Sequence, residues 1–307
     1  MTGRPTFDVA CAADESYVPH SAALLHSLIE RTPEGTVQVH YLHGPLLSRI
    51  SRDQLQRMVE GMGARITFIQ VEDEKVALLA GHGHQTSPTW YRIFLPDLLP
   101  NVDRLLYLDC DVIALDSIAP LWELDLTNYY VGAVTNIFEP WYLDRIEVLG
   151  LNSTDDYFNA GVLLMNLDLM RRDGCARGLE DYAVRNHDKL MWVDQDTLVV
   201  VLGKRRLALD PRWNCMNSLH DFPWSADVFG TEAVAAATAH PALRHFEGPP
   251  ICKPWHYLCQ KANSEAYFAH RRQTPWPRTR IEGRTAREVI RRYLRRRNQP
   301  SGLCSTR

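Results

Sequence analysis

Short apolar runs alternate with amphipathic segments through the N-terminal third of the chain, and this alternation constrains the fold more than any other feature. Phe7–Ala13 is an apolar run with the character of a buried strand. Pro19–Arg31 follows, with Ala22, Leu25, Leu28 and Ile29 at helical spacing and a stop at Pro33 and Gly35. Val37–Leu42 reads as a second strand and Ser51–Met62 as a second helix, with Leu55, Met58, Val59 and Met62 inward; Arg65–Val71 is a third strand. Strand–helix–strand repetition with short connections predicts a parallel sheet covered by helices on both faces. Ligands of such sheets sit outside the carboxyl ends of the strands.

Further along, Arg104–Asp109 (RLLYLD), Tyr130–Thr135 and Ala160–Asn166 (AGVLLMN) read as strands, and Leu167–His187 as mostly helical. The pattern loosens after Asp196, and no internal repeat or low-complexity tract is visible. Near Gln273 the run TPWPRTR interrupts any regular element, which divides the chain into a main body, residues 1–270, and a tail, residues 271–307. In the tail Ala286, Val289, Ile290, Tyr293 and Leu294 share one face of a helix whose other faces carry arginines.

Charge follows the same division. The chain has a net charge of −3, yet eleven arginines oppose only Glu282 and Glu288 between His270 and Arg297. An acidic body with a basic end points to an anionic surface as partner. Several arginines at about 1 kcal/mol each can hold a protein at an anionic leaflet. No nucleic-acid reader module accompanies the charge, so a membrane is the expected partner and nucleic acid is not. The seven cysteines are irregularly spaced and form no CxxC pair, which fits a reducing compartment and no zinc knuckle. The N-terminus lacks the pattern of a secretory signal, and no apolar run approaches the roughly 20 residues that span a bilayer. The expectation is a cytoplasmic protein, peripheral at the inner face of the membrane.

The strand RLLYLD ends in Asp109-Cys110-Asp111. Because extended residues alternate sides, positions i and i+2 point the same way, which brings both carboxylates into one site with Cys110 turned to the core. Two such charges at a partly desolvated crest repel, and a hard divalent cation removes the conflict. Such a cation bridges a diphosphate and offsets charge on a departing nucleoside diphosphate. An isolated DxD is more often a solvated loop, so the surroundings decide.

Those surroundings resemble glycosyltransferase family 8, in particular its bacterial lipopolysaccharide and lipooligosaccharide α-glycosyltransferases. The likeness runs from about Phe7 to Tyr257 through ordered motifs: CAADESY (Cys11–Tyr17), TWYRIFLPDLLP (Thr89–Pro100), LLYLDCDVIALDSIAPLWELDL (Leu105–Leu126), FNAGVLLMNL (Phe158–Leu167), DQD (Asp194–Asp196) and HFEGPPICKPWH (His245–His256). The resemblance implies a Rossmann-like α/β fold of the GT-A type with a mixed sheet. It implies transfer of a hexose, galactose or glucose favoured, from a UDP-sugar to a hydroxyl of a glycan or lipid-linked acceptor, with retention of configuration.

Roles follow by position. Ala12, Asp14 and Tyr17 match the loop that holds the uridine. Asp109, Asp111 and His245 match metal ligands, for which Mn²⁺ is expected and Mg²⁺ is the alternative, because an imidazole nitrogen suits Mn²⁺ better. Arg92, Asn159 and Asp194 match residues that hold the donor sugar, and Gln195 the side chain beside the anomeric carbon. Gly248 and Lys253 match the loop that closes over the diphosphate. Three departures stand out: Ser16 where an Asn is common, a closing segment GPPICK two residues longer than the usual GPxK, and Asn136 where the galactosyltransferase branch carries Asp. The last leaves sugar and acceptor open.

Simpler roles stand beside these. Asp194 and Asp196 could cap a helix, with Asp196 the structural one of the pair; Arg92 could pair with Asp97; Trp213, Trp224 and Trp255 could be core. A metal-dependent nucleotide-sugar hydrolase and a non-catalytic UDP-sugar-binding protein are the competing functions.

Overall fold

The structure, a computed structural model, describes residues 4–72, 74, 76, 79, 87–278 and 281–290. Strand β1 (Thr6–Ala12) pairs in parallel with β2 (Thr36–His43), and β2 with β3 (Arg65–Gln70). Helix α1 (Val18–Arg31) joins the first pair and α2 (Arg49–Gly61) the second; Ser48 caps α2 by accepting from the Ser51 amide. On its other edge β1 pairs with β4 (Arg104–Leu108), also parallel. Strand β5 is Val112–Ala114, β6 Val131–Ala133, β7 Val162–Asn166, β8 Arg206–Ala208 and β9 Leu243–His245. The main sheet has the order β3-β2-β1-β4-β7-β6-β8, and β5 and β9 form a separate antiparallel pair.

One reversed strand places the site. β7 runs antiparallel to both β4 and β6, while β6 and β8 are parallel. Val162, at the start of β7, therefore faces Leu108, at the end of β4. The chain just before β7 lies beside the chain just after β4, so Asn159, Ala160 and Gly161 meet Asp109 at the carboxyl edge of the sheet. The backbone seals the join: the Asp109 amide donates to the Gly161 carbonyl at 2.8 Å.

β4 shows why the sheet is apolar on both faces. Leu106 and Leu108 belong to one core layer, with α1, α2 and the residues around Trp213. Leu105 and Tyr107 belong to the other, with Phe94, Phe158 and the helices Cys175–Asn186 and Val193–Leu202. A strand buried on both sides reads as a continuous apolar run, as RLLYL does. Leu167–His187 is broken at Asp173 and Gly174 into the helices Leu167–Arg172 and Cys175–Asn186. A third, smaller cluster of Ala23, Ile113, Phe246, Trp255 and Tyr267 ties α1 and β5 to the helix Ser264–Arg271.

Beyond Arg271 the chain still touches the body. Trp276 packs against the first core layer, and Glu282 exchanges backbone hydrogen bonds with Trp255 and Tyr257, both at 2.8 Å. Residues 286–290 are helical, with Val289 and Ile290 exposed. Tyr293, Leu294 and the arginines from Arg291 on lie outside the described residues, so the amphipathic tail helix is seen only at its start. No helix among the described residues is long and apolar enough to cross a membrane.

Candidate active site

The DxD is not the end of an extended strand. Asp109–Val112 is a turn, closed by the Val112 amide donating to the Asp109 carbonyl at 3.1 Å, where the chain leaves β4 and enters β5. The two carboxylates converge because the turn folds them together, not because strand residues alternate. β9 then lays His245 opposite Val112, which brings the imidazole to the same place. Ligand atoms of Asp109, Asp111 and His245 all lie within 4.8 Å of one another. Cys110 points elsewhere, its thiol donating to the Ala12 carbonyl at 3.2 Å.

His245 Nδ1 lies 2.9 Å from Asn214 Oδ1, an acceptor, so this nitrogen carries the proton. Asn214 is itself fixed, its Nδ2 donating to Asn159 Oδ1 at 2.8 Å. Nε2, the other imidazole nitrogen, faces Asp111 Oδ1 at 3.3 Å. Two electron-pair donors facing each other at that distance require something positive between or beside them. Here Lys253 supplies it through a direct ion pair with Asp111, and its ammonium also donates to the Phe246 carbonyl at 2.8 Å. Burial works against ionisation of Asp111, but Lys253 and His245 outweigh it and hold the carboxyl well below its ordinary range. Burial likewise opposes a charged His245, and Asp111 overcomes it, raising that pKa. A donor set of two carboxylates and an imidazole oriented by an amide fits a divalent ion.

Arg92 sits beneath the pair. It is buried, lies 3.1 Å from Asp109 and 2.8 Å from Asp194, and spreads its guanidinium over the Tyr107 ring at 4.6 Å. It does not take the alternative pairing with Asp97. Its Nε–H points at the Thr89 carbonyl, 3.2 Å away, so the nearby Asp194 Oδ2 has the charge of Arg92 without a hydrogen bond. Burial pushes the Asp194 carboxyl up to about 7, Arg92 pulling it down and Asp109 adding to the rise. Asp194 and Gln195 open the helix Val193–Leu202, whose first residue has φ of +29°. A β-branched residue in the left-handed half of the map is strained, and such strain gathers at functional sites.

Gln195 is held at both ends of its amide. Its Oε1 accepts from the Ala160 amide at 2.9 Å, and its Nε2 donates to the Tyr157 hydroxyl at 3.2 Å. Tyr157 in turn donates to Asp196 at 2.5 Å. Asp196 is fully buried and satisfied by Arg145 and the Met191 and Trp192 amides, a structural role. Trp213 and Trp255 are core residues; Trp224 donates its indole N–H to the Phe138 carbonyl.

Arg92, Asp109, Asp111, Asn159, Asp194, Gln195, His245, Gly248 and Lys253 all line one cavity of about 700 Å³. Gly248, at φ +94°, takes a conformation that other residues adopt only with strain. Ala12, Asp14 and Tyr17 are not on that lining. They form the loop after β1: Asp14 Oδ1 accepts from the Ser16 and Tyr17 amides at 2.9 and 3.1 Å, and the partly exposed Tyr17 ring meets Trp255 edge-on at 6.1 Å. Asn217 lines the cavity without having carried any sequence signal, and Glu247, given no role within its motif, accepts from the Asn217 and Ser218 amides.

Residues 8–259 match the model of a family described as Glycosyl transferase family 8. A solved galactosyltransferase, LgtC, in complex with donor and acceptor sugar analogues, superposes with a TM-score of 0.78 at 27% identity, over 88% of this chain and 96% of that one. General stress protein A of Bacillus subtilis is 26% identical over 274 residues, 87% of this chain and 93% of its own. The lipopolysaccharide 1,3-galactosyltransferase of Salmonella typhimurium is 22% identical, over 88% and 79%. The mixed sheet with its acidic strand-end cleft is thus the GT-A fold of a glycosyltransferase. The chain belongs to glycosyltransferase family 8.

Proposed function

We propose that the chain transfers a hexose, galactose or glucose, from a UDP-sugar to a hydroxyl of a glycan or lipid-linked acceptor, with retention of configuration. The observation that carries this reading is the convergence of Asp109, Asp111 and His245 in a cavity that Asp194 and Gln195 also line, with Arg92 bridging Asp109 and Asp194. Asp109, Asp111 and His245 would hold Mn²⁺, or Mg²⁺, which when bound offsets the charge on the departing UDP. Lys253, released from Asp111, would offer its ammonium to the diphosphate as a point charge. Asp14 and Tyr17, in the loop after β1, would take the uracil edge and face.

Arg92, Asn159 and Asp194 orient the donor sugar. Gln195 lies where a covalent mechanism would need a nucleophile, and an amide anchored through both its oxygen and its nitrogen is a poor one. A front-face path, in which the leaving UDP oxygen takes the acceptor proton, is the better fit. Phe138, Tyr142 and Trp192 line the far wall, the two last with ring centroids 5.1 Å apart, and offer an apolar surface to the face of an acceptor sugar. The basic tail would hold the enzyme at the cytoplasmic face of an anionic membrane beside a lipid-linked acceptor.

The test is UDP release from a panel of UDP-sugars with Mn²⁺, with and without EDTA. Slow, chelator-sensitive release from one donor identifies the sugar and supports the site. Failure of UDP to bind in Mn²⁺ overturns the reading. A hydrolase would release UDP at full rate with no stimulation by any acceptor, and a binding protein would bind UDP without turnover.

A further inference from the structure

Away from the cavity, α1 and the helix Ser264–Arg271 bring three metal-binding side chains together. His26 and Glu30 are four residues apart on α1 and so share one of its faces. His270 reaches them from the last turn of the other helix. His26 Nδ1 and His270 Nδ1 are 3.1 Å apart, His270 Nδ1 and Glu30 Oε2 are 3.4 Å apart, and all three ligand atoms fall within 4.8 Å of one another. None of the three lines the active-site cavity.

These spacings have a chemical meaning. Ligands about 2.0–2.1 Å from a tetrahedral zinc ion are separated from each other by about 3.3 Å. The two measured edges bracket that value. Hydrogen bonding alone satisfies the trio poorly, because His270 Nδ1 faces both His26 Nδ1 and Glu30 Oε2. If His270 carries a proton there, it serves one neighbour only; if it does not, its lone pair opposes the carboxylate. Burial lowers the pKa of both imidazoles despite the Glu30 charge, which keeps them neutral and available as ligands.

We infer that His26, Glu30 and His270 form a second metal site, selective for Zn²⁺ or a neighbouring late transition metal and distinct from the catalytic cluster. Two imidazoles and one carboxylate suit zinc far better than Mn²⁺ or Mg²⁺. Three protein ligands leave a fourth position for water, and the exposure of Glu30 gives the ion a way in. The site joins the helix that follows the uridine loop to the helix that leads into the basic tail. One turn or two along the same helix pair, His20 Nδ1 and the Tyr267 hydroxyl make a second contact at 2.7 Å. A bound ion would thus staple the C-terminal segment to the nucleotide-binding half of the sheet.

The experiment is zinc titration of the full chain, stripped of metal, against a chromophoric chelator, together with Tm in Zn²⁺ and in EDTA. Wild type is expected to hold one more zinc equivalent than His26→Gln, and Asp111→Asn to keep that equivalent. Glu30→Gln, at an exposed position that does not threaten folding, is expected to weaken this zinc by about tenfold or more, since even outer partners of metal ligands are worth that much. Zinc should raise the Tm of wild type by more than that of His26→Gln, which keeps only the Asp109, Asp111 and His245 cluster. Mn²⁺-dependent UDP binding should be the same in wild type and His26→Gln, which separates this site from the proposed reaction. Equal zinc stoichiometry and equal Tm shifts in wild type, His26→Gln and Glu30→Gln would show an ordinary hydrogen-bonded pair and overturn the inference.

Discussion

Gly161 lacks a side chain where the His245 ring needs the room: a Cβ on Gly161 would lie 2.2 Å from His245 Cε1 and 2.9 Å from Nε2. His245 cannot retreat easily, because Asn214 holds its other nitrogen and β9 holds its backbone. Gly161→Ala should therefore swing the imidazole off the metal position while the sheet persists. Mn²⁺ affinity is expected to fall about 10–100-fold, the usual cost of disturbing groups that orient a metal ligand. Mn²⁺ titration of UDP binding reads this directly, and an unchanged titration would mean that His245 is not a ligand.

Lys253 pairs with Asp111 and with the Phe246 carbonyl, so a metal held by Asp111 as proposed would have to displace the ammonium. Lys253→Met should accordingly strengthen Mn²⁺ binding in the absence of nucleotide and weaken UDP binding in its presence. Loss of one charge-assisted contact, about 1.5–3 kcal/mol, corresponds to a drop in UDP affinity of about 10–100-fold. Calorimetry of Mn²⁺ alone and of UDP in saturating Mn²⁺ separates the two effects. Both moving in the same direction would refute the competition.

Asp111 and Gln195 should fail differently. Asp111→Ala removes a ligand and is expected to abolish metal-dependent turnover. Gln195→Ala should lower kcat by about 10–100-fold, a loss of interaction in the transition state, and leave the Kd for UDP unchanged. Turnover of Asp111→Ala at the wild-type rate in Mn²⁺ would count against the whole site.

Sequence patterning located the strands and most of the cluster, and the reasons differ by residue. β1, β4 and β7 were legible because each is an apolar run of strand length, and β7's reversal was not, since period and composition carry no direction. Asp109 and Asp111 do lie together, but the turn to β5 joins them, not the alternation of an extended strand. His245 and Lys253 depended on the family resemblance, because no local pattern links them to a strand more than a hundred residues earlier. Asn214 could not be found at all. Its role is to orient an imidazole through a contact made only after β9 has paired with β5. Gly161 stood in a recognised motif, yet its purpose needed coordinates, for a glycine's missing side chain has meaning only beside its neighbour.

The tail prediction depends on where the body stops. Glu282 still exchanges hydrogen bonds with Trp255 and Tyr257, and a Cβ on Gly283 would strike His256, so a deletion at residue 271 would damage the body as well. Removal of residues 286–307 spares those contacts and takes away six of the eleven arginines between His270 and Arg297. Full-length protein should sediment with anionic vesicles at low salt and the shortened chain should not, with both remaining in solution over neutral vesicles. Equal sedimentation of the two would dismiss the tail as the membrane contact.

Asp194 gives the clearest pH signature. Its carboxyl is buried beside Asp109 and titrates near 7 in the folded chain, against about 3.9 for an unfolded aspartate. The folded state therefore keeps this proton over a range in which the unfolded state has lost it. Stability from this group is full below the unfolded value, declines as pH rises from about 4 to 7, and is flat beyond. The limiting slope is about 1.4 kcal/mol per pH unit. Buried histidines act in the opposite sense: His20, lowered to about 3, and His220, lowered to about 4, favour the folded chain as pH climbs toward their unfolded value. Both are present in wild type and in Asp194→Asn alike, so the difference between the two proteins isolates the carboxyl. Denaturant unfolding in EDTA at pH 5 and pH 8 should show Asp194→Asn gaining on wild type as pH rises. Parallel pH profiles would mean instead that Arg92 neutralises Asp194 fully and that the buried charge carries no cost.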